Sequence, residues 1–341
     1  MNCFFDFDVP KRLKNEPNGI TACVLIAYES SFLKHRLMSC IVSCAEKQGL
    51  SCVKFLSKYD YDKLCAVYVR NRKTFIADKD IIPDLSEFPD AVTINADKIY
   101  FPSPDLSVIE KLKKQRRAYI SDAAKCENSA AVISRETAKM LSQFTNKAKV
   151  LNYILRFIQR NGLRQSAEKG SESVMTLGNI TSWGVHTCFE SIAEKCSDVY
   201  TICDCTKYTA SLLINGFSSA FCQCGKSTEK FVCSLCPEFS EHLCVPEMSL
   251  AFVCENDYHP YRCSEYGEIS VRRFLKRPVP AYLAEKLGCN EELKDDLIDG
   301  CVFALYDAME KDNELCRYLQ AFESPEKYEL LENEVKKVCF P

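Results

Sequence analysis

Short apolar runs alternate with amphipathic stretches along the chain, and they follow the same order in both halves. In the first half an apolar run at 22–28 precedes helical spacing over 31–48, and a second apolar run follows at 51–56. The corresponding runs of the second half are 199–203, 210–222 and 230–235. Strands that are apolar on both faces and joined by a helix indicate βαβ units with buried parallel strands. Repetition of the whole pattern predicts a duplication.

A polar stretch near the middle of the chain has the composition of a linker. It covers 165–173 and separates a first domain, 1–164, from a second domain, 174–341. A helical region over 107–160 ends the first half, with a break expected near 125–128, and helices also end the second half. We therefore expect an α/β protein of two tandem layered domains, with mainly parallel sheets and helical appendages.

Composition narrows the class of partner and the compartment. The net charge of −3 and the pI near 6.0 give no reason to expect nucleic acid or an anionic membrane as a partner. The chain contains no run of 18 apolar residues, so the sequence predicts no membrane-spanning helix. The start of the chain is acidic, whereas a secretory signal would be basic and then apolar. The 22 cysteines are scattered through apolar runs, which favours buried free thiols in a reducing, cytoplasmic compartment.

Three segments carry a resemblance to a known family. They are Ile-Thr-Ser-Trp-Gly at 180–184, the stretch from Cys233 to Met248 and Ala-Phe-Glu-Ser-Pro-Glu-Lys-Tyr at 321–328. In these segments the chain resembles duplicated, largely uncharacterised bacterial P-loop ATPases, over most of its length and best in the second half. The resemblance implies two P-loop NTPase-like domains with ATP and Mg²⁺ as cofactors. It also implies a Gly-x-x-x-x-Gly-Lys-Ser/Thr loop between strand and helix in each half.

Both loops depart from that pattern. In the first, Lys34 stands at the place of the phosphate lysine, but every glycine is replaced and Glu29 adds negative charge. In the second, Ser211 stands at the place of the Mg²⁺ ligand, while Ala210 replaces the lysine. Bulky side chains keep backbone N–H groups from phosphate, and a missing lysine removes charge neutralisation. We therefore expect a degenerate, non-hydrolysing relative that keeps a remnant nucleotide site at Lys34 and Ser211 or serves as a scaffold for an unidentified protein. A weakly active ATPase is the alternative.

Glu247, in a Val-Pro-Glu segment, is the candidate catalytic carboxylate, for positioning metal or water if activity survives. The alternative is a polar residue at the start of a strand. A second motif, Gly-Lys-Ser-Thr at 225–228, resembles the end of a phosphate loop. It follows a helical stretch and opens a strand, which is the reverse of what a working phosphate loop needs. We interpret it as a helix-terminating glycine and a polar turn.

Four cysteines support a hypothesis from a different class of function, a thiolate metal protein. Cys203 and Cys205 follow one strand of the second half, and Cys233 and Cys236 end the next. The carboxyl ends of parallel strands share one edge of a sheet, so these thiols could converge on Zn²⁺ or an iron–sulfur centre. Structural cysteines are the alternative interpretation. The four histidines are dispersed along the chain and predict no site.

Overall fold

The chain forms a mixed α/β structure with two six-stranded sheets and one two-stranded sheet. A computed structural model describes residues 2–5, 20–57, 60, 62–81, 88, 90–203, 207–256, 258–261, 266–276 and 278–340.

The first sheet has the strand order β1-β3-β4-β5-β2-β6. Its strands are β1 (Asn2–Phe5), β2 (Ala22–Ala27), β3 (Cys52–Leu56), β4 (Leu64–Val69), β5 (Thr74–Asp78) and β6 (Val92–Asn95). Only β4 runs against the other five, so the sheet is mainly parallel. The strands joined by the first helix, β2 and β3, are parallel but not neighbours, because the β4–β5 hairpin lies between them.

The second sheet has the order β14-β10-β13-β12-β11-β7, and β8 pairs with β9 in the small sheet. The strands are β7 (Glu172–Thr176), β8 (Gly178–Thr181), β9 (Gly184–Thr187), β10 (Asp198–Cys203), β11 (Thr228–Val232), β12 (Ser240–Val245), β13 (Leu250–Cys254) and β14 (Gly267–Ser270). Here β12 alone is antiparallel to the rest.

The described residues also form seven α-helices and five 3₁₀ turns. The helices are α1 (Ser31–Lys47), α2 (Leu106–Ser142), α3 (Lys147–Arg160), α4 (Glu190–Ala193), α5 (Lys207–Gln223), α6 (Ala281–Gln320) and α7 (Pro325–Cys339). The 3₁₀ turns are Arg70–Arg72, Lys79–Ile81, Asp97–Ile99, Pro246–Met248 and Val271–Phe274.

The expected helix break near 125–128 is wrong. Helix α2 continues through that segment, which contains neither glycine nor proline, and ends at Ser142. The next helix begins where the Asn146 side chain accepts a hydrogen bond from the N–H of Lys149, which is a normal N-cap. The break therefore lies at 143–146.

The two large sheets share one topology. A constant offset in residue number aligns Ala22 with Asp198 and the first residue of α1 with the first residue of α5. The same offset pairs Gly49 with Gly225, whose φ angles are 70° and 76°, directly after the two helices. Glycine adopts this left-handed backbone without steric cost, so both helices end in the same way. This correspondence is what a duplicated sequence produces.

The compact units combine segments from both halves of the chain. One unit contains 1–123, 181–183 and 302–341, and the other contains 124–180 and 184–301. Helix α7 packs on α1 in the first unit, and α3 packs on α5 in the second. The division at 165–173 concerns the order of repeats along the sequence and stays a prediction.

The core of the first unit explains the amphipathic spacing of its first helix. Leu33, Leu37 and Ile41 lie one turn apart on α1 and are fully buried. They pack against β2 and against buried residues of α7 such as Leu331. Burial of each such side chain contributes on the order of 2 kcal/mol, so this packing fixes α1 and α7 on the sheet.

The core of the second unit is aromatic. The Phe217 ring on α5 stacks on the Phe252 ring of β13 at a centroid distance of 4.2 Å. Phe157, from α3, meets both rings edge to face at 5.1 and 5.5 Å. Aromatic pairs in these geometries add about 0.5–1.5 kcal/mol beyond area burial. Helix α3 is therefore part of this core.

Truncation of Phe252 tests the aromatic core. We expect Phe252→Ala to lower the free energy of unfolding by about 3–5 kcal/mol, because it leaves a cavity among packed rings. The matched control is Phe303→Ala, since the Phe303 side chain is 72% exposed and its loss should cost less than about 0.5 kcal/mol. Urea denaturation followed by circular dichroism measures both. Equal losses would show that Phe252 is not part of a packed core.

Candidate functional site

A cavity of about 500 Å³ opens at the carboxyl edge of the second sheet. It lies where β13 ends at Cys254, where the chain leaves β11 at Cys233 and where α5 begins at Lys207. Ligands of open α/β sheets bind outside the carboxyl ends of the strands. The position and volume of this cavity therefore mark the candidate site of the second unit.

Lys207 is one of the cations that line the cavity. Its Nζ donates hydrogen bonds to Cys233 Sγ at 2.9 Å and to Ser134 Oγ at 3.4 Å. It lies 3.7 Å from a carboxylate oxygen of Glu241. Burial alone would lower the pKa of Lys207, but the neighbouring Cys233 and Glu241 outweigh burial and raise it. Lys207 is therefore a fixed positive charge.

Glu241 and His259 continue the polar wall. His259 Nε2 lies 3.4 Å from Glu241 Oε2, and His259 Nδ1 lies 2.6 Å from Thr187 Oγ1. Burial would raise the pKa of Glu241, but His259 and then Lys207 outweigh it and lower the pKa, so the carboxylate stays ionised. The series Thr187, His259 and Glu241 has the order of a catalytic triad, in which a hydroxyl nucleophile contacts a histidine base and the histidine contacts a carboxylate. A nucleophile must contact its substrate, and Thr187 is not among the described residues that line the cavity.

A metal ion is the other interpretation of this cluster. Ligand atoms of Glu241, His242 and His259 lie within 4.8 Å of one another. His242 is 1% exposed, and burial lowers its pKa to about 3, so the ring is neutral. His242 Nδ1 accepts a hydrogen bond from the N–H of Cys254 at 3.2 Å, which places the ring proton on Nε2. Nε2 has no partner among the described residues, but a protonated nitrogen cannot ligate a metal. The geometry favours a hydrogen-bonded chain.

The cysteines predicted to share a metal are separated. Cys203 ends β10 and donates to Glu268 Oε1 at 2.7 Å, and Cys205 lies outside the described residues. Cys233 and Cys236 follow β11, which is separated from β10 by β13 and β12. Three strand spacings amount to roughly 14 Å. The strands share an edge, as the sequence predicted, but they are not neighbours, so the structure does not bring Cys203 to the other thiols.

Lys34 lies inside a helix and is already paired. Three residues separate the end of β2 from the start of α1, and Lys34 lies one turn into the helix. Its Nζ contacts Asp78 Oδ2 at 2.7 Å and Asp80 Oδ2 at 3.4 Å. A connection of three residues is too short for backbone amides to wrap around a phosphate. The structure therefore assigns the Lys34 charge to internal ion pairs.

Ser211 and Glu247 also have structural partners. Ser211 Oγ accepts hydrogen bonds from the N–H of Ser240 at 2.9 Å and from Asn215 Nδ2 at 3.2 Å. Glu247 lies at the opposite edge of the sheet from the cavity, where its Oε1 accepts from the N–H of Ser227 at 3.1 Å. That hydrogen bond is the main cause of the lowered pKa of Glu247. Ser211 thus holds the start of β12, and Glu247 anchors the turn at 225–228.

Sequence reasoning missed Lys207, Glu241 and His259. Glu241 lies near the start of β12 and His259 follows the end of β13, and these two strands are antiparallel neighbours. One feature of the sequence could have revealed Glu241 and His259. Two successive apolar runs can pair as a hairpin, and this pairing brings Glu241, before the first run, close to His259, after the second. The histidines are far apart along the chain, and the pairing of β12 with β13 brings His242 and His259 together.

Comparison with known proteins adds no identity. No protein-family model, no curated protein and no solved structure matches this chain. Among the described helices, none is long and apolar enough to cross a bilayer.

Thiol reactivity tests the state of Cys233. Burial raises the pKa of the Cys233 thiol to about 12, with Glu241 adding to the shift and Lys207 opposing it. We expect iodoacetamide at pH 8 to alkylate native Cys233 at least about tenfold more slowly than exposed Cys289. Peptide mass spectrometry over a time course measures both rates. Comparable rates would show that Cys233 is an accessible, reactive thiolate and would contradict its assignment as a buried neutral thiol.

Proposed function

We propose that this chain is a non-hydrolysing binding protein whose second unit holds a small polar molecule in the cavity at the carboxyl edge of its sheet. The observation that carries the proposal is the cavity itself, of about 500 Å³, with Lys207 as a cation in its wall. Small-molecule sites are typically concave, of this size, and lined by apolar walls with a few convergent polar groups. The ring of His259 and the carboxylate of Glu241 supply such groups.

Kinship with P-loop NTPases is part of the proposal and rests on the segments of the sequence that resemble that family. The α/β units with a strand followed by a helix are compatible with it. The paired state of Lys34 and the hydrogen bonds of Ser211 support loss of phosphate binding at both former loops. In this proposal ATP and Mg²⁺ are not needed for function. A cytoplasmic location fits the free thiols of the described cysteines.

Filling the cavity tests the binding site without damaging the fold. Gly288 lies in helix α6 and lines the cavity, and a Cβ added there meets nothing within 4 Å. Gly288→Leu therefore adds a bulky side chain at the wall of the cavity without a clash, while helix propensity stabilises the helix by about 1 kcal/mol. Gly288→Ala is the matched control, because it gains the same propensity and leaves the cavity open.

We expect at least one class of small polar compound to raise the melting temperature of the wild type and of Gly288→Ala by a few °C, and to leave Gly288→Leu unchanged. The panel contains carboxylates, amino acids, sugar phosphates and nucleotides, each tested by thermal-shift measurement. The proposal fails if no compound stabilises the wild type, or if Gly288→Leu responds as the wild type does.

Turnover of ATP tests the loss of hydrolysis. With Mg²⁺ and ATP, we expect phosphate release by the wild type to stay at the level of buffer. Lys34→Ala should lower stability, because it leaves the carboxylate of Asp78 without its main partner, and it should not change phosphate release. Measurable release that disappears in folded Lys34→Ala would contradict the proposal.

A further inference from the structure

The helices of the two units can be compared position by position. Helices α3 and α7 both start at an N-cap, Asn146 and Ser324, whose side chain accepts from the N–H three residues on. The residue before each cap also forms a β-bridge within its own unit. Counting back from the caps aligns α2 with α6, and it pairs Ala130 with Ala308, both of them buried. The alignment therefore holds into the middle of the long helices.

Three correspondences concern the carboxyl edges of the sheets. They are Asp312 with Ser134, Arg116 with Lys294, and Ser31 with Lys207. The first residue of each pair lies in the first unit and the second in the second unit. Asp312 and Ser134 are both buried, at 8% and 6% exposure, so they hold the same place in their units.

In the first unit this place is filled by a carboxylate of the chain. Asp312 Oδ1 accepts from Arg116 Nη1 at 2.6 Å, and Asp312 Oδ2 lies 3.4 Å from Lys63 Nζ. Asp312 Oδ2 also accepts a hydrogen bond from the Ser31 hydroxyl at the start of α1. The start of a helix favours an anion, because its first N–H groups have no partner within the helix. Asp312 is thus an internal anion at the start of α1.

In the second unit the carboxylate is missing from the equivalent place, and two cations lie in the same cavity wall: Lys294 replaces Arg116, and Lys207 replaces Ser31. Ser134 carries a hydroxyl group where Asp312 carries a carboxylate. The Ser134 Oγ accepts a hydrogen bond from Lys207 at the start of α5. Lys294, the counterpart of Arg116, lines the same cavity. The present partners of Lys294 are Glu291 and Asp295, whose side chains are 50% and 55% exposed. The Lys294 side chain itself is 13% exposed, and ion pairs with carboxylates that reach solvent contribute little.

We infer that the cavity of the second unit binds its ligand through a carboxylate group, which lies against Lys207, Ser134 and Lys294 where Asp312 lies in the first unit. This inference rests on the proposed function and names the chemical class of its ligand. Glu241 neutralises the Lys207 charge only in part, because the Glu241 carboxylate also contacts His259 at 3.4 Å.

Installing the carboxylate of the first unit tests the inference without a ligand. Ser134→Asp should melt at least a few °C above Ser134→Asn, which has the same shape and no charge. The reason is that only the aspartate side chain pairs with Lys207 and Lys294. An equal or lower melting temperature for Ser134→Asp would overturn the inference, and it would leave the cavity available for ligands of another class.

Matched probes test the same group on the ligand. Benzoate and glutarate are compared with benzamide and glutaramide, and inorganic phosphate is a separate arm. We expect wild-type dissociation constants at least about tenfold lower for the carboxylates than for their amides, and loss of carboxylate binding in Ser134→Asp.

The outcomes of the probe experiment are distinct. In one outcome the wild type binds acid and amide equally, or binds phosphate alone, and Gly288→Leu loses that binding. Either result would overturn the inference of a carboxylate ligand and leave the proposed function standing. The absence of any compound that binds the wild type, in this set or in the wider panel, would overturn both.

Discussion

Charged side chains lie beside the start of the first helix in each unit, where they have little or limited contact with solvent and need partners. In the first unit the partners are all side chains of the chain: Asp312 meets Arg116 and Lys63 beside the start of α1. In the second unit Lys207 meets a thiol, a hydroxyl and a shared carboxylate, beside a cavity. An uncompensated charge in a protein interior costs several kcal/mol. The pairing therefore sets the charges at each edge, and in the second unit these charges lie in the wall of a cavity.

The same topology thus supports two different chemistries. Corresponding positions hold Cys65 and Glu241, and likewise Asp78 and Cys254, at the edges of the two sheets. Among these residues, the carboxylate of the first unit lies at the end of β5, and the carboxylate of the second unit lies near the start of β12. The strands of both units nevertheless pair in the same register. Strand pairing depends on backbone hydrogen bonds and on the packed faces, whereas residues at the strand ends can change without disturbing either. Binding residues can therefore differ between the two units.

The resemblance to P-loop ATPases concerns segments that are poor guides to a binding site. The stretch after the second strand contains Cys233, which contacts Lys207, and Glu247, which anchors a turn at the far edge. A working phosphate loop needs several backbone N–H groups that converge on one anion. The short strand-to-helix connection of the first unit does not supply them, and Lys34 is paired with Asp78. The structure leaves kinship as a proposal and draws attention to another part of the fold.

The sequence by itself determined the α/β class, because apolar runs and amphipathic spacing report local burial along the chain. It also indicated the first helix of each unit and the strands on either side of it. Only the tertiary structure decided which strands are neighbours, and therefore that Cys203 is remote from Cys233 while Glu241 is close to His259. It alone paired Ser134 with Lys207 and Asp312 with Arg116, from helices far apart in sequence. Periodicity describes one segment at a time, whereas a binding site forms from segments that meet through long-range packing.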